Sequence, residues 1–123
     1  MANGFLKKKI KKIEEINVKK AKDILDILGL SHLEKEYAGN LSGGQKKLLE
    51  LGRVMMVEPE IILLDEVGAG VNKTLLKKIS NIIKKLNKEK KYTFIMIEHD
   101  LDFISKLCDT IIVIAITIIV SQS

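Results

Sequence analysis

Leu41-Ser42-Gly43-Gly44-Gln45, followed downstream by Ile61-Ile62-Leu63-Leu64-Asp65-Glu66, is the pair of stretches on which the reading of this chain turns. The first is a glycine pair running into a helical pattern. Paired glycines at a helix start let backbone N–H groups approach an anion closely, and the dipole at that end favours negative charge. The second is an apolar run ending on two adjacent carboxylates, a placement suited to holding a hard metal ion and a water beside a phosphate. Taken singly, each has a plainer account: an ordinary glycine loop, or a solvated carboxylate pair at a strand end. Their order and separation favour the phosphate chemistry.

Working outward, Ser42 or Gly43 starts a helix that runs through Val57. It buries Leu48, Leu51 and Met55 and turns Lys46, Lys47, Glu50 and Arg53 to the other side. Pro59 ends it, because the residue before a proline disfavours helical geometry. Ile61–Leu64 is a continuous apolar run, which predicts a strand covered on both faces. Gly68-Ala69-Gly70 forms a loop, and Asn72 caps a helix burying Leu75, Leu76, Ile79, Ile82, Ile83 and Leu86. Tyr92–Ile97 is a second buried strand, ending at Glu98-His99-Asp100. Asp100 caps a short helix carrying Leu101, Ile104 and Leu107, and Thr110–Val120 is a last β-branched run. Upstream, Leu6, Ile10 and Ile13 predict an amphipathic helix among lysines. Asn17 caps a second, with Val18, Ala21, Ile24, Leu25 and Leu28 on one face and Gly29 closing it. Ser31 and Glu34 match a capping box. Helix alternating with strand from residue 41 onward predicts an α/β architecture with a parallel sheet.

Composition limits the alternatives. The chain has 123 residues, 46% of them apolar and 30% charged, with a single proline, so it is globular and of one-domain size. Aromatics are only 4%, which leaves little for base stacking and argues against nucleic-acid binding. The net charge is +5, with the excess in lysine runs at Lys7–Lys9, Lys11-Lys12, Lys19-Lys20, Lys88 and Lys90-Lys91. These fit phosphates or anionic lipid headgroups, and more simply solvated helix faces. One cysteine, Cys108, excludes an internal disulfide and a cysteine metal cluster, which fits a reducing cytoplasm. The longest apolar run, Ile111–Val120, is short of the roughly 20 residues a spanning helix needs.

These motifs together resemble those of ATP-binding cassette (ABC) ATPases. Leu41–Gln45 is similar to the family's signature motif, and Ile61–Asp65 with Glu66 to its Walker B strand and catalytic glutamate. Ala69-Gly70-Val71-Asn72 sits where the family keeps its D-loop, and His99 where it keeps its switch histidine. Gln45–Arg53, the Asn72 form of the D-loop, Ile97–Asp100 and Leu107–Asp109 resemble the ATPase subunits of branched-chain amino acid importers.

The resemblance implies a partial P-loop NTPase fold. Residues 1–40 would be a remnant of the helical subdomain, and 41–123 the signature helix with the C-terminal part of the RecA-like core. It implies ATP and Mg²⁺ as cofactors, and a head-to-tail dimer with another ABC ATPase subunit. Transporter membrane subunits would be further partners, at the inner face of the cell membrane. Ser42, Gly43 and Gly44 would meet the γ-phosphate of a nucleotide held by the facing subunit, and Gln45 would shape the signature loop that binds it. Asp65 would hold Mg²⁺ directly or through water, Glu66 would polarise the attacking water, and His99 would touch the γ-phosphate.

Several features depart from the family. No G-x-x-x-x-G-K-[S/T] and no Q-loop occur in these residues, and Val67 and Lys73 replace usual prolines. The Walker A strand would lie between the His99 strand and the last parallel strand, leaving open sheet edges. The chain therefore reads as the C-terminal part of a cassette, truncated at both ends and inactive alone. The alternatives are a non-catalytic module donating its signature in trans, or a gene remnant without function.

Overall fold

The computed structural model describes residues 2–113. Helix α1 spans Ala2–Leu28 and is followed by two short 3-10 turns, Ser31–Leu33 and Ala38–Asn40. Helix α2 (Gly43–Met56) leads into strand β1 (Ile61–Asp65). Helix α3 (Lys73–Lys90) then crosses over to strand β2 (Thr93–Ile97), and helix α4 (Leu101–Ser105) follows. The strands are parallel and in register from Ile61 opposite Thr93 to Asp65 opposite Ile97. This is the α/β order the sequence predicts, reduced to a two-stranded sheet among the described residues.

Local chemistry sets most boundaries. Ser42 caps α2 through a reciprocal capping box, and Val57 ends that helix two residues before Pro59. Asn72 Oδ1 accepts the N–H of Leu75 at 2.8 Å and opens α3. Asp100 Oδ1 accepts that of Phe103 at 3.0 Å and opens α4. Helix α3 closes on Lys91, a non-glycine residue in the left-handed region at φ 61°, ψ 24°. Glycine at such a position carries no Cβ penalty. Lys91→Gly is therefore expected to stabilise the fold by about 0.5–1 kcal/mol, read as a higher urea midpoint at unchanged slope.

The core lies between α1, α2, α3 and one face of the sheet. Ile24 and Leu28 of α1 pack with Leu48, Leu51 and Met55 of α2. Ile79, Ile82, Ile83 and Leu86 of α3 cover Ile62, with Leu64, Phe94 and Met96 half-buried beside them. The approach of α1 to α2 is tight at Gly52. A Cβ there would sit 2.7 Å from Leu28 Cδ1 and 3.2 Å from Ile24 Cγ2. At the far end of α2, Lys20 donates to Met56 O at 2.8 Å and pairs with Glu58 at 2.9 Å. That hydrogen bond, with the lysine's charge, holds the Glu58 carboxyl below its ordinary range.

Six expectations need correction. Asn17 is no cap: one continuous helix runs through it, because no glycine or proline between Phe5 and Leu28 interrupts the pattern. Val18, expected on the covered face, is exposed. Ser31 makes no capping box; its hydroxyl instead faces Asp26 Oδ1 at 3.4 Å. The strands are covered on one face only, since Ile61, Leu63, Ile95 and Ile97 all project into solvent on the other. A continuous apolar run predicts two-sided burial, but no layer covers the second face among the described residues. Thr110–Val113 form no strand and their apolar side chains are exposed; the rest of the run to Val120 lies outside the described residues. Phe103, not Leu101, is the buried anchor of α4 beside Ile104.

Candidate functional site

The polar residues singled out in the sequence gather at two places. One is the N-terminus of α2. Gln45 Oε1 accepts the N–H of Ser42 at 2.8 Å, and Ser42 Oγ accepts the N–H of Gln45 at 3.3 Å. The helical ladder begins one residue later, where Lys46 N–H donates to Ser42 O at 2.9 Å. Between cap and ladder, the N–H groups of Gly43 and Gly44 have no intrahelical acceptor, as at any helix start. The two glycines differ. Around Gly43 a Cβ would meet nothing, whereas at Gly44 it would fall 2.2 Å from Leu75 Cδ2. Gly44 is thus a packing contact with α3, and Gly43 is open to a ligand.

The second place is the C-terminal end of the parallel strands, where open α/β sheets leave a crevice. Asp65 ends β1, and Glu66 follows at φ 47°, left-handed and strained for a side chain of this kind. The turn is held from both sides: Glu66 N–H donates to Ile97 O at 2.8 Å, and Glu66 O accepts from Ala69 N–H at 3.0 Å. This conformation brings Glu66 Oε1 to 2.7 Å from His99 Nε2. His99 is 83% exposed and Glu66 48%, so the pair stands at the surface facing outward. The neighbours of His99 serve other ends. Glu98 Oε1 accepts the N–H of Gly68 at 2.8 Å, and Asp100 caps α4. The three side chains thus serve three different partners: Gly68 N–H, the Glu66 carboxylate and Phe103 N–H.

Lys47 links the two places, and the pattern on α2 puts it on the wrong side. Instead of turning to solvent, its ammonium donates to Val67 O at 3.2 Å and to Ala69 O, both in the loop after Glu66. No local signal marks that reach of 20 or more residues along the chain. Gly70 takes φ 68° in the same loop, and Asn72 begins α3, so Ala69–Asn72 is a turn closed by backbone bonds such as Val71 N–H to Gly68 O. A shallow cavity of about 250 Å³ separates α2 from the end of β1, with Lys47, Glu50, Val54, Asp65 and Glu66 among its lining. Among the described residues, no hydrogen bond joins Ser42–Gln45 to the Glu66–His99 pair.

The donor set suits a hard cation only in part. Among the described residues no group of three or more His, Cys, Asp or Glu could hold a metal ion by itself. Asp65 and Glu66 offer carboxylate oxygens at one strand end, which fits Mg²⁺ bound through one or two carboxylates with phosphate oxygens and water completing the shell. For the nucleotide, the fit is to a phosphate presented to Gly43 from outside. Cys108 stands apart from the site: burial, with the charge of Asp109 adding, pushes its thiol above its ordinary range and keeps it protonated.

Comparison with known proteins agrees with this geometry. The family model for "ABC transporter" matches residues 3–69. A probable branched-chain amino acid transport ATP-binding protein, LivG of Methanocaldococcus jannaschii, is 49% identical over 105 residues, covering 85% of this chain and 40% of that protein. The methionine import ATP-binding protein MetN of Clostridium tetani is 34% identical over 95 residues, covering 77% of this chain and 30% of that one. The chain thus spans less than half the length of these curated relatives. Among solved structures, the ADP conformation of the ATP-binding cassette MJ1267 superposes with a TM-score of 0.68 at 44% identity, over 74% of this chain and 36% of that one. CbiO1 of Clostridium perfringens superposes with a TM-score of 0.72 at 31% identity, over 78% of this chain and 38% of that one. With more than half its residues matched by the family model and its fold shared with solved cassettes, the chain belongs to the ABC transporter family and has the architecture of a partial ATP-binding cassette.

Proposed function

We propose that this chain supplies the signature side of a composite ATP site in an importer of amino acids, of the branched-chain class. The observation that carries the reading is the open N-terminus of α2. Ser42 and Gln45 satisfy each other, leaving the N–H groups of Gly43 and Gly44 at the positive end of the helix dipole with nothing at Gly43 to obstruct an anion. In this reading the nucleotide served by α2 is one held by a facing ATPase subunit. Residues 1–40 then act as helical subdomain and 41–123 as signature helix with core. The substrate class rests on the 49% identity to LivG against 34% for MetN.

At the strand ends, Asp65 offers oxygens to Mg²⁺, which when bound neutralises charge on the phosphates. Glu66, aimed by its left-handed backbone, accepts a hydrogen bond from the attacking water. His99 holds the Glu66 carboxylate at 2.7 Å in register with that water and can donate to a phosphate oxygen. The assembly lies on the cytoplasmic side of the membrane, alongside membrane subunits.

The test is association in trans. Mixed with a complete homologous ABC ATPase subunit, the chain is expected to form a heterodimer on addition of ATP, seen as an elution shift. Ser42→Arg removes the cap and fills the phosphate site, so the shift should vanish. Lack of any ATP-dependent shift in the unsubstituted chain, or a shift untouched by Ser42→Arg, defeats the proposal.

A further inference from the structure

The N-terminal part of α1 has no role in the site. From Asn3 to Lys19 every residue of this helix is exposed, and cover begins only at Lys20 and Ala21. Yet the segment is not polar all round. Phe5, Leu6, Ile10, Ile13 and Ile16 are between 47% and 76% exposed. At helical pitch they fall within a sector of about 140°, continuous with the stripe that buries Ile24 and Leu28 further along. Lys12 borders that sector, Lys7 and Lys8 flank it about 60° beyond either edge, Glu14 stands between Lys7 and the sector, and Lys11 lies opposite it.

The charge is equally localised. Of the 21 lysines and arginines in the chain, five lie in residues 1–13, where no acidic residue occurs; the remaining 16 are matched by 16 aspartates and glutamates. Residues 1–13 thus carry a local charge of +5, equal to the net charge of the whole chain, and the exposed arm as far as Lys19, with Glu14 and Glu15, keeps +4.

We infer that the exposed half of α1, residues 3–19, is a docking face for an anionic lipid surface, lying in the headgroup plane with Phe5, Leu6, Ile10, Ile13 and Ile16 turned into the acyl boundary. A large apolar face, lysines along its edges and low net hydrophobicity define helices that lie on a bilayer. Crossing one is excluded on polarity, since no described helix is long and apolar enough to span. A second copy of this chain fits poorly: pairing two such faces would bring two unneutralised lysine clusters together. A protein groove also fits less well, because grooves take a narrow seam and Lys9 lies inside this sector. At a lipid interface the stem of Lys9 lies along the apolar layer while its ammonium reaches the headgroups.

The test is flotation of the full chain, without nucleotide, with vesicles of phosphatidylcholine alone or with about one-third phosphatidylglycerol. Binding to the anionic vesicles, and little to the neutral ones, is expected. Ile10→Glu with Ile13→Glu should abolish it, and Lys7→Gln with Lys12→Gln should weaken it about thirtyfold. All four positions are exposed, so far-UV circular dichroism should show an unchanged fold. No binding to anionic vesicles overturns the inference. So does binding that survives Ile10→Glu with Ile13→Glu, which would be charge attraction alone. So does a concentration-dependent oligomer that those two substitutions disperse while vesicles go unbound. Because no arm involves ATP, these outcomes are separate from the fate of the signature-helix reading.

Discussion

Gly52→Val is expected to unfold most of the chain at room temperature in dilute buffer, the largest stability effect we anticipate. Glycine inside a helix ordinarily costs about 1 kcal/mol against alanine, so on α2 alone any replacement should help. The close approach of α1 reverses that sign. The first carbon added would stand 2.7 Å from Leu28 Cδ1 and 3.2 Å from Ile24 Cγ2. Leu28 is fully buried at 0% exposure, so its methyl has nowhere to retreat. Overpacking of this kind typically costs about 1–3 kcal/mol, and valine adds two further methyl groups and a restricted rotamer to the clash. A small core with one bare sheet face holds little stability in reserve. Urea denaturation followed by circular dichroism measures the effect. Leu28→Ala, which by itself should cost about 2–5 kcal/mol, is expected to cost much less in the Gly52→Val background because it vacates the space. A Gly52→Val chain as stable as the parent would mean that the helices do not meet at this point.

That contact illustrates what the sequence reveals and what it hides. Caps are local chemistry, and Ser42, Asn72 and Asp100 all occupy the positions their side chains predict. Pro59 closes α2 for an equally local reason. The parallel pairing of β1 and β2 follows from the intervening helix, whose buried face of Ile79, Ile82, Ile83 and Leu86 is legible as a 3.6-residue period. Asn17 misleads because the same side chain that caps a helix also rides through one, and only the uninterrupted pattern on both sides decides between them. Gly52 reads as a weak point when it is a close approach. Lys47 reads as solvated when its ammonium crosses to the carbonyls of Val67 and Ala69. Both depend on what another element places opposite, which periodicity along one helix does not encode.

The candidate site divides in the same way. Asp65, Glu66 and His99 could be named from motif order, but not the backbone device that joins them. Glu66 reaches His99 because its φ of 47° bends the chain out of β1 immediately after the last sheet pair. Glu98 and Lys47 then brace the following loop from β2 and from α2, at Gly68 N–H and at the carbonyls on either side of it. A loop tied both to α2 and to Glu98, the residue before His99, gives those two regions a shared mechanical neighbour without a direct bond between them. Such bracing places the carboxylate before any ligand arrives, which is what electrostatic stabilisation requires.

The sharpest functional prediction exploits the difference between Gly43 and Gly44. Gly43→Glu is expected to leave the fold as stable as the parent or slightly more so, while eliminating ATP-dependent association with a complete subunit. Position 43 is the first residue of α2, where nothing lies within reach of an added Cβ. A carboxylate in the first helical turn interacts favourably with the macrodipole, by about 0.3–1 kcal/mol, and glutamate is a better helix former than glycine. The same negative charge occupies the place proposed for a γ-phosphate, so the substitution that helps the helix repels the ligand. Gly44→Ala should behave in the opposite manner: its Cβ falls 2.2 Å from Leu75 Cδ2, so the fold must give before the phosphate site is affected. Leu75→Ala should recover much of that stability by removing the obstructing methyl group. Paired urea curves and elution shifts for the two variants separate the roles. Association that persists in Gly43→Glu at parental affinity would show that the N-terminus of α2 meets no phosphate, whatever else the chain binds.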